Sequence, residues 1–291
     1  TRTAIEARVP AKQILDAGLL DGTNDAYENT LVFFGYTHCP DVCPQTIGEL
    51  YGVFEALQEH FRRSGSDVRG WPDWPEEYRR PDSSAIAEFK ESHIDRVEFF
   101  QYLQWQCELQ LEQVGHRCLE LGLAVGLYQD LAVSVDGWGF EAWWNQDVFA
   151  LPARVGAPPD DFFGDGQNWG LPPISPRAAR ADGHRQLAMS LRHHMSVAGV
   201  LRLAPVMGLE RLFWVPDGAH ARQGVYVRSP RDELLAVLCV ESARTDCRVV
   251  GEDLGTVTDE IRAAMGRHGL LGMYVSQFRL PGHDAVVPPP G

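Results

Sequence analysis

The chain has 291 residues, of which 44% are apolar, 23% charged and 10% aromatic, a composition that supplies a sizeable core and excludes disorder, collagen and coiled coil. Lys and Arg number 26 against 40 Asp and Glu, so a formal charge of -14 repels phosphate backbones and anionic membranes, and no nucleic-acid partner is expected. The apolar runs at 30–34 and 121–127 fall far short of the roughly 18–20 residues that cross a bilayer, so no membrane span is expected either.

Residues 1–30 carry weak helical periodicity (Ile5, Val9, Ile14, Leu15, Leu19) and lead into a short apolar strand at 31–34 and a loop holding Cys39 and Cys43. The first ten residues, with charged Arg2, Glu6 and Arg8, lack an apolar signal core, the pattern of a processed product or fragment. From 46 to 61 Ile47, Leu50, Phe54, Leu57 and Phe61 fall at spacings of three and four and predict a helix. Trp71-Pro72-Asp73-Trp74-Pro75 cannot continue it, because proline lacks a donor and clashes with the preceding turn, and reads as an ordered Trp-rich loop. From 82 to 122 one apolar stripe, including Ile86, Phe89, Val97, Phe100, Cys107, Val114, Cys118 and Leu121, predicts one long helix or two.

Beyond that stripe the pattern alternates. Strands are expected at 123–133, 200–206, 247–252 and 271–278, and helices at 183–198, 232–243 and 257–268, with a long loop between the first strand and the first of these helices. Such alternation predicts a parallel sheet built from crossovers. The loop reads as an active-site loop, because long irregular segments inside compact domains are usually functional. Within it Gln167, Asn168 and Trp169 offer amide donors and an aromatic face, a combination that suits a sugar ring. Six cysteines are too few for a disulfide scaffold and point to a reducing, cytoplasmic compartment; Cys107, Cys118, Cys239 and Cys247 read as buried fillers.

The stretches FEALQEHF (54–61), WPEEYR (74–79), RVEFFQYLQW (96–105), GLYQDLAV (126–133), VGAPPD (155–160), GQNWGLPP (166–173), VMGLERLFWVP (206–216) and GEDLGTV (251–257) occur in this order. Together they resemble the bacterial 4-alpha-glucanotransferases (amylomaltases) of glycoside hydrolase family 77. That resemblance implies a (β/α)8 barrel with catalytic groups at the C-terminal strand ends, and retaining transfer of alpha-1,4-glucan segments between malto-oligosaccharides without a cofactor. It places the general acid/base at Glu252 and substrate contacts at Arg202, Asp136, Asp160, Gln167, Asn168 and Trp169. The family reads Arg-Ile-Asp-His where this chain reads Arg202-Leu203-Ala204-Pro205, so Ala204 stands at the nucleophile's position and no glycosyl ester can form there. A third carboxylate of the family lies beyond the last strand, and His283-Asp284 only echoes it.

Residues 30–45, TLVFFGYTHCPDVCPQ, resemble the Sco (SenC) copper-delivery proteins, whose thioredoxin-like domain binds Cu(I) through a Cys-x-x-x-Cys loop, here Cys39 and Cys43. The expected fold is therefore α/β: an incomplete (β/α)8 TIM-barrel-type sheet with a helical insertion, preceded by a short thioredoxin-like, Sco-like fragment, as in a chimera. The expected divisions are 1–49, a helical subdomain at 50–122, a partial barrel at 123–280 and a tail at 281–291. Three functions follow: a glucanotransferase crippled at Ala204 and by truncation, a non-catalytic alpha-glucan-binding fragment, and a copper or thiol-redox protein.

Overall fold

The computed structural model describes residues 44–275, apart from 66, 162 and 256. The helix and strand expected before residue 44, Cys39, Cys43, His283, Asp284 and the proline-rich tail lie outside the described residues.

The first unit is helical. Helix α1 spans Pro44–Arg63, α2 spans Ser84–Ser92 and α3 spans Ile94–Glu120. The long apolar stripe thus makes two helices, because His93, at φ -125° and ψ 31°, leaves the helical region between them. The Ser83 hydroxyl starts α2 by accepting the Ile86 amide hydrogen, the role an N-cap serine performs for an orphan donor. Helix α1 lies against α3, tied by a two-pronged ion pair in which Arg96 Nε and Nη2 donate to Glu59 at 2.8 and 3.0 Å. The apolar faces close on an aromatic core of Phe54, Trp71, Trp74, Phe89, Phe140 and Trp143. The far half of α3 is less covered than its stripe predicts: Val114 is 46% exposed, and Cys107 and Cys118 are only partly buried. Cys239 is also partly buried, so Cys247 alone among these four fits the reading as a buried filler.

The second unit is a parallel sheet. Strands β1 (Tyr128–Leu131), β4 (Val200–Leu203), β7 (Arg248–Gly251) and β8 (Leu271–Gly272) lie in the order β1-β4-β7-β8. These are the four strands the alternation predicts, each shorter than expected. Leu131, Leu201, Leu203 and Val249 project to one face and are buried by Leu191 and Met195 of helix α6 (Arg185–Met195), Leu235 and Leu238 of α7 (Arg231–Thr245) and Ile261 and Met265 of α8 (Asp259–His268). Side chains alternate along a strand, so Tyr128, Asp130, Arg202 and Val250 point the other way. There Tyr128 is 53% exposed and Asp130 is exposed, whereas Val200, beside Tyr128 in the register, is buried. Parallel strands with helices on the outside and a polar inner row are the wall of a barrel. Helices α6 and α7 are also joined across their interface by Arg192, whose Nε and Nη2 donate to the buried Glu241 carboxylate at 2.9 and 2.8 Å.

The expected long loop is not irregular. It holds the short helices α4 (Phe140–Trp144) and α5 (Pro176–Ala181) and two strands, β2 (Ala153–Ala157) and β3 (Gln167–Asn168). These strands join β5 (Arg211–Pro216) and β6 (Val225–Arg228) in an antiparallel sheet of order β3-β2-β5-β6, inserted into the crossovers of the parallel one. The expected strand at 200–206 accordingly ends at Leu203, and Val206–Leu209 forms a 3₁₀ turn that leads into β5.

Helix α6 carries a pH-sensitive contact to β1. His194 is buried, its Nδ1 lies 3.2 Å from Gln129 Oε1, and burial drops its pKa from 6.5 to about 4 even though Asp130 pulls the other way. The folded protein therefore favours the neutral ring, so its contribution is fully present above pH 6.5 and is lost as pH falls towards 4. That difference corresponds to about 3 kcal/mol. Urea unfolding followed between pH 7 and 4 should show His194→Phe losing less stability than the wild type; parallel curves would contradict this account.

Candidate functional site

The site expected from the sequence divides between the two sheets. The C-terminal edge of the parallel sheet carries Ala204 and Glu252. Register sets Leu131, Leu203 and Gly251 side by side, and the ladder runs one residue further: Ala204 N–H donates to Leu131 O at 3.4 Å and Glu252 N–H to Leu203 O at 2.9 Å. Val206 N–H returns to Glu252 O at 3.0 Å, so the turn after β4 is stitched to the end of β7. Ala204 and Glu252 therefore end neighbouring strands at one level, about 5 Å apart along the hydrogen-bonding direction. Glu252 is half-buried and its Oε1 accepts the Leu254 amide hydrogen at 2.9 Å, which fixes the carboxylate over its own loop. Asp253 pins the same loop to the next strand by accepting Met273 N–H at 2.9 Å.

Arg202, two residues before Ala204, has a carboxylate partner that the sequence reading missed. Its Nη1 donates to Asp130 Oδ2 at 2.6 Å across the β1–β4 register, and its Nε is buried without a partner. The signal was present in GLYQDLAV: Asp130 lies between two outward positions, Gln129 and Leu131, so it had to share the inner face with its strand neighbours. Asp136 lies in the loop after β1, at this same end, and serves that loop: its Oδ1 accepts Trp138 N–H at 2.9 Å in a side-chain turn.

Gln167, Asn168 and Trp169 sit on and after β3 in the antiparallel sheet. Trp169 N–H donates to Val155 O at 2.9 Å, and its indole Nε1 donates to Gln167 Oε1 at 3.0 Å, so the amide of one holds the ring of the other. Asn168 Oδ1 accepts Gly170 N–H at 2.9 Å. The indole remains 40% exposed, an aromatic face braced from behind. The Trp-rich loop at 71–75 supplies no such face, since Trp71 and Trp74 are 7% and 0% exposed in the aromatic core. Asp160 closes the adjacent turn, accepting Phe163 N–H through Oδ1 at 2.6 Å.

The two halves of the site are fastened together. Leu171 O accepts Val155 N–H at 2.7 Å, and the Ser134 hydroxyl donates to Pro172 O, so the chain leaving the Trp169 platform is tied to the loop that follows β1. Pro172, three residues beyond Trp169, is thereby held at the loop that follows β1, at the C-terminal end of the parallel sheet. No group of three or more His, Cys, Asp or Glu that could hold a metal occurs among the described residues, and no helix there is long and apolar enough to cross a membrane.

Parallel strands joined by helical crossovers define an α/β fold of partial TIM-barrel type. The family model for 4-alpha-glucanotransferases, glycoside hydrolase family 77, matches residues 45–289, and the chain belongs to that family. The 4-alpha-glucanotransferase of Haemophilus influenzae is 38% identical over 232 residues, which cover 79% of this chain and 33% of that protein. Among solved structures, the amylomaltase of Corynebacterium glutamicum is 27% identical with a TM-score of 0.66, covering 90% of this chain and 34% of that one. The amylomaltase of Streptococcus agalactiae, solved in complex with acarbose, shares the fold at 19% identity and a TM-score of 0.73, covering 92% of this chain and 51% of that one. The chain thus spans about a third of the length of curated relatives such as this one. All of these are glucanotransferases, and the resemblance of residues 30–45 to copper-delivery proteins gains no support from them.

The glycine of VGAPPD has a steric reason. A Cβ on Gly156 would lie 2.0 Å from the Gln167 carbonyl oxygen, closer than any packing allows, so β2 and β3 can pair only with glycine there. Gly156→Ala should cost about 1–3 kcal/mol by urea unfolding. Hydrogen exchange should show lost protection of the Trp169 amide; retained protection would mean that β3 tolerates the methyl group.

Proposed function

We propose that this chain recognises alpha-1,4-glucans in the manner of the 4-alpha-glucanotransferases and that its own transfer chemistry is blocked at Ala204. The observation that carries the reading is the braced, exposed Trp169 beside Gln167 and Asn168, in a segment tied through Pro172 to the loop after β1. A malto-oligosaccharide presents hydroxyls at its rim and an apolar ring face, and the indole suits the face while the amide nitrogens of Gln167 and Asn168 suit the rim. In this reading Glu252 is the acid/base group, and Arg202, held by Asp130, contacts a sugar hydroxyl beside it. Asp136 and Asp160 lend backbone and loop shape to the cleft, their nearer oxygens being engaged in turns.

Retaining transfer needs a carboxylate that attacks the anomeric carbon while a second protonates the leaving oxygen, the pair about 5–5.5 Å apart. The methyl group of Ala204 forms no bond to carbon, so the glycosyl-enzyme step has no nucleophile. Asp130 does not replace it. Its residue lies two positions earlier and two strands away from Glu252 in the register, on the order of 11–12 Å, and its carboxylate is committed to Arg202.

Calorimetric titration with maltoheptaose should give a saturable heat, and Trp169→Ala should weaken it by about 1–3 kcal/mol, the range of other aromatic stacking losses. Maltotriose incubated with the wild-type chain should release no glucose above background. No heat with maltoheptaose would remove the glucan-binding reading, and glucose release that Glu252→Gln abolishes would remove the block at Ala204.

A further inference from the structure

Behind the ends of β1 and β4, between the sheet and helices α5, α6 and α7, lies a cavity of about 130 Å³. Leu131, Leu187, Leu203 and Leu234 line it, as do Ala204 and Pro205, with the polar side chains of Ser134, Gln186, Ser190 and Ser229 among them. A glucan does not suit it, because a hydroxyl on almost every ring carbon would be left unpaired against the leucine side chains. None of Gln167, Asn168 and Trp169 lines it, so the cavity is distinct from the Trp169 platform.

One polar side chain in the wall is incomplete. His184 lines the cavity and is 7% exposed; its Nε2 lies 2.8 Å from Glu233 Oε2, while its Nδ1 is buried with no hydrogen-bond partner. Arg180 Nε also donates to Glu233 Oε2, at 3.0 Å, and keeps that carboxylate ionised. An ionised carboxylate only accepts, so Nε2 carries the hydrogen towards Glu233, and Nδ1 is the ring atom left over for a ligand. A buried ring nitrogen without a partner is costly, and most buried polar groups have one. A single water would serve Nδ1 and leave the leucine-lined volume empty, whereas apolar cavities of this scale admit a benzene-sized ring.

We propose that this cavity binds a small phenol-type molecule, one aromatic ring bearing one hydroxyl, with the hydroxyl donating to His184 Nδ1 and the ring filling the leucine-lined space. A concave, mostly apolar pocket with a few placed polar groups is the general form of a small-molecule site, and His184 Nδ1 is the buried one here that lacks a partner. The occupant touches the Ala204–Pro205 turn, whose neighbour Val206 is bonded to Glu252 O, so the site adjoins the strand ends without depending on glucan recognition.

The test titrates the full chain with phenol and with benzene, following the histidine ring ¹⁵N resonances. Phenol should bind saturably at one site, with benzene about five- to tenfold weaker, the worth of one hydrogen bond. The His184 Nδ1 resonance should move with phenol only. His184→Phe should bring phenol down to the level of benzene, and Ala179→Leu, which adds volume to the wall, should abolish both. Equal affinity for phenol and benzene, an unmoved His184 resonance, or no saturable binding would overturn the proposal and leave a water-filled cavity. Should either variant fail to fold by circular dichroism, the phenol-to-benzene ratio and the ring resonance of the wild type decide alone.

Discussion

The hydrogen-bonded register between β4 and β7 is the constraint on which the rest depends. Leu203 opposite Gly251 fixes Ala204 opposite Glu252, and the one-sided packing of Leu201, Leu203 and Val249 against α6, α7 and α8 fixes which face is left for polar groups. A slip of one residue would exchange the faces, placing Arg202 against the helices and Leu201 among the inner row. The apolar side of the sheet therefore determines the geometry of its polar side. Gly251 belongs to this constraint: a Cβ there would lie 2.7 Å from Val206 Cγ2, so the turn after β4 packs on the end of β7 only because that residue has no side chain.

Around this frame, polar residues that look like ligand contacts in the sequence do structural work first. Asp136, Asp160 and Asn168 each give an oxygen to a backbone amide two or three residues on, and Glu252 does the same with Leu254. These bonds shape the loops at the strand ends, where the backbone has no ladder to satisfy it. In the glucan-binding proposal these bonds leave the exposed indole of Trp169, the amide nitrogens beside it, Arg202 and the second oxygen of Glu252 to meet the sugar.

Much of the parallel wall was legible in the sequence because strand and helix periods alternate cleanly from Tyr128 to Gly272. Helices α1 to α3 were legible for the same reason, although nothing in their spacing marked His93 as the break. The antiparallel sheet was hidden. Strand β3 is two residues long, β2 holds a glycine next to its last residue, and β5 runs through RLFWVP, whose largely apolar character carries no strong alternation. The segment around GQNWG was recognisable as a site by its amides and indole, yet read as loop because its strand is defined by pairing with a distant partner. Ala204 was found only by likeness to a family, since an alanine before a proline has no chemical signature of its own. Asp130 was overlooked for the opposite reason, its motif being noted whole while the alternation inside it went unread.

The aromatic core has a consequence for the covalent chain. Trp71 Nε1 donates to Gly137 O at 3.0 Å and Trp143 Nε1 to Tyr78 O at 3.1 Å, two clasps that run in opposite directions between the helical unit and the loop beyond β1. Phe140 and Trp143, from that loop, are packed inside the helical unit's own core. The peptide segment joining the units, with exposed Leu121, Leu123 and Val125, is thus not what holds them together. Severed there, the two pieces would stay associated as a fragment complex, much as a garment fastened at two buttons stays closed when its seam is cut.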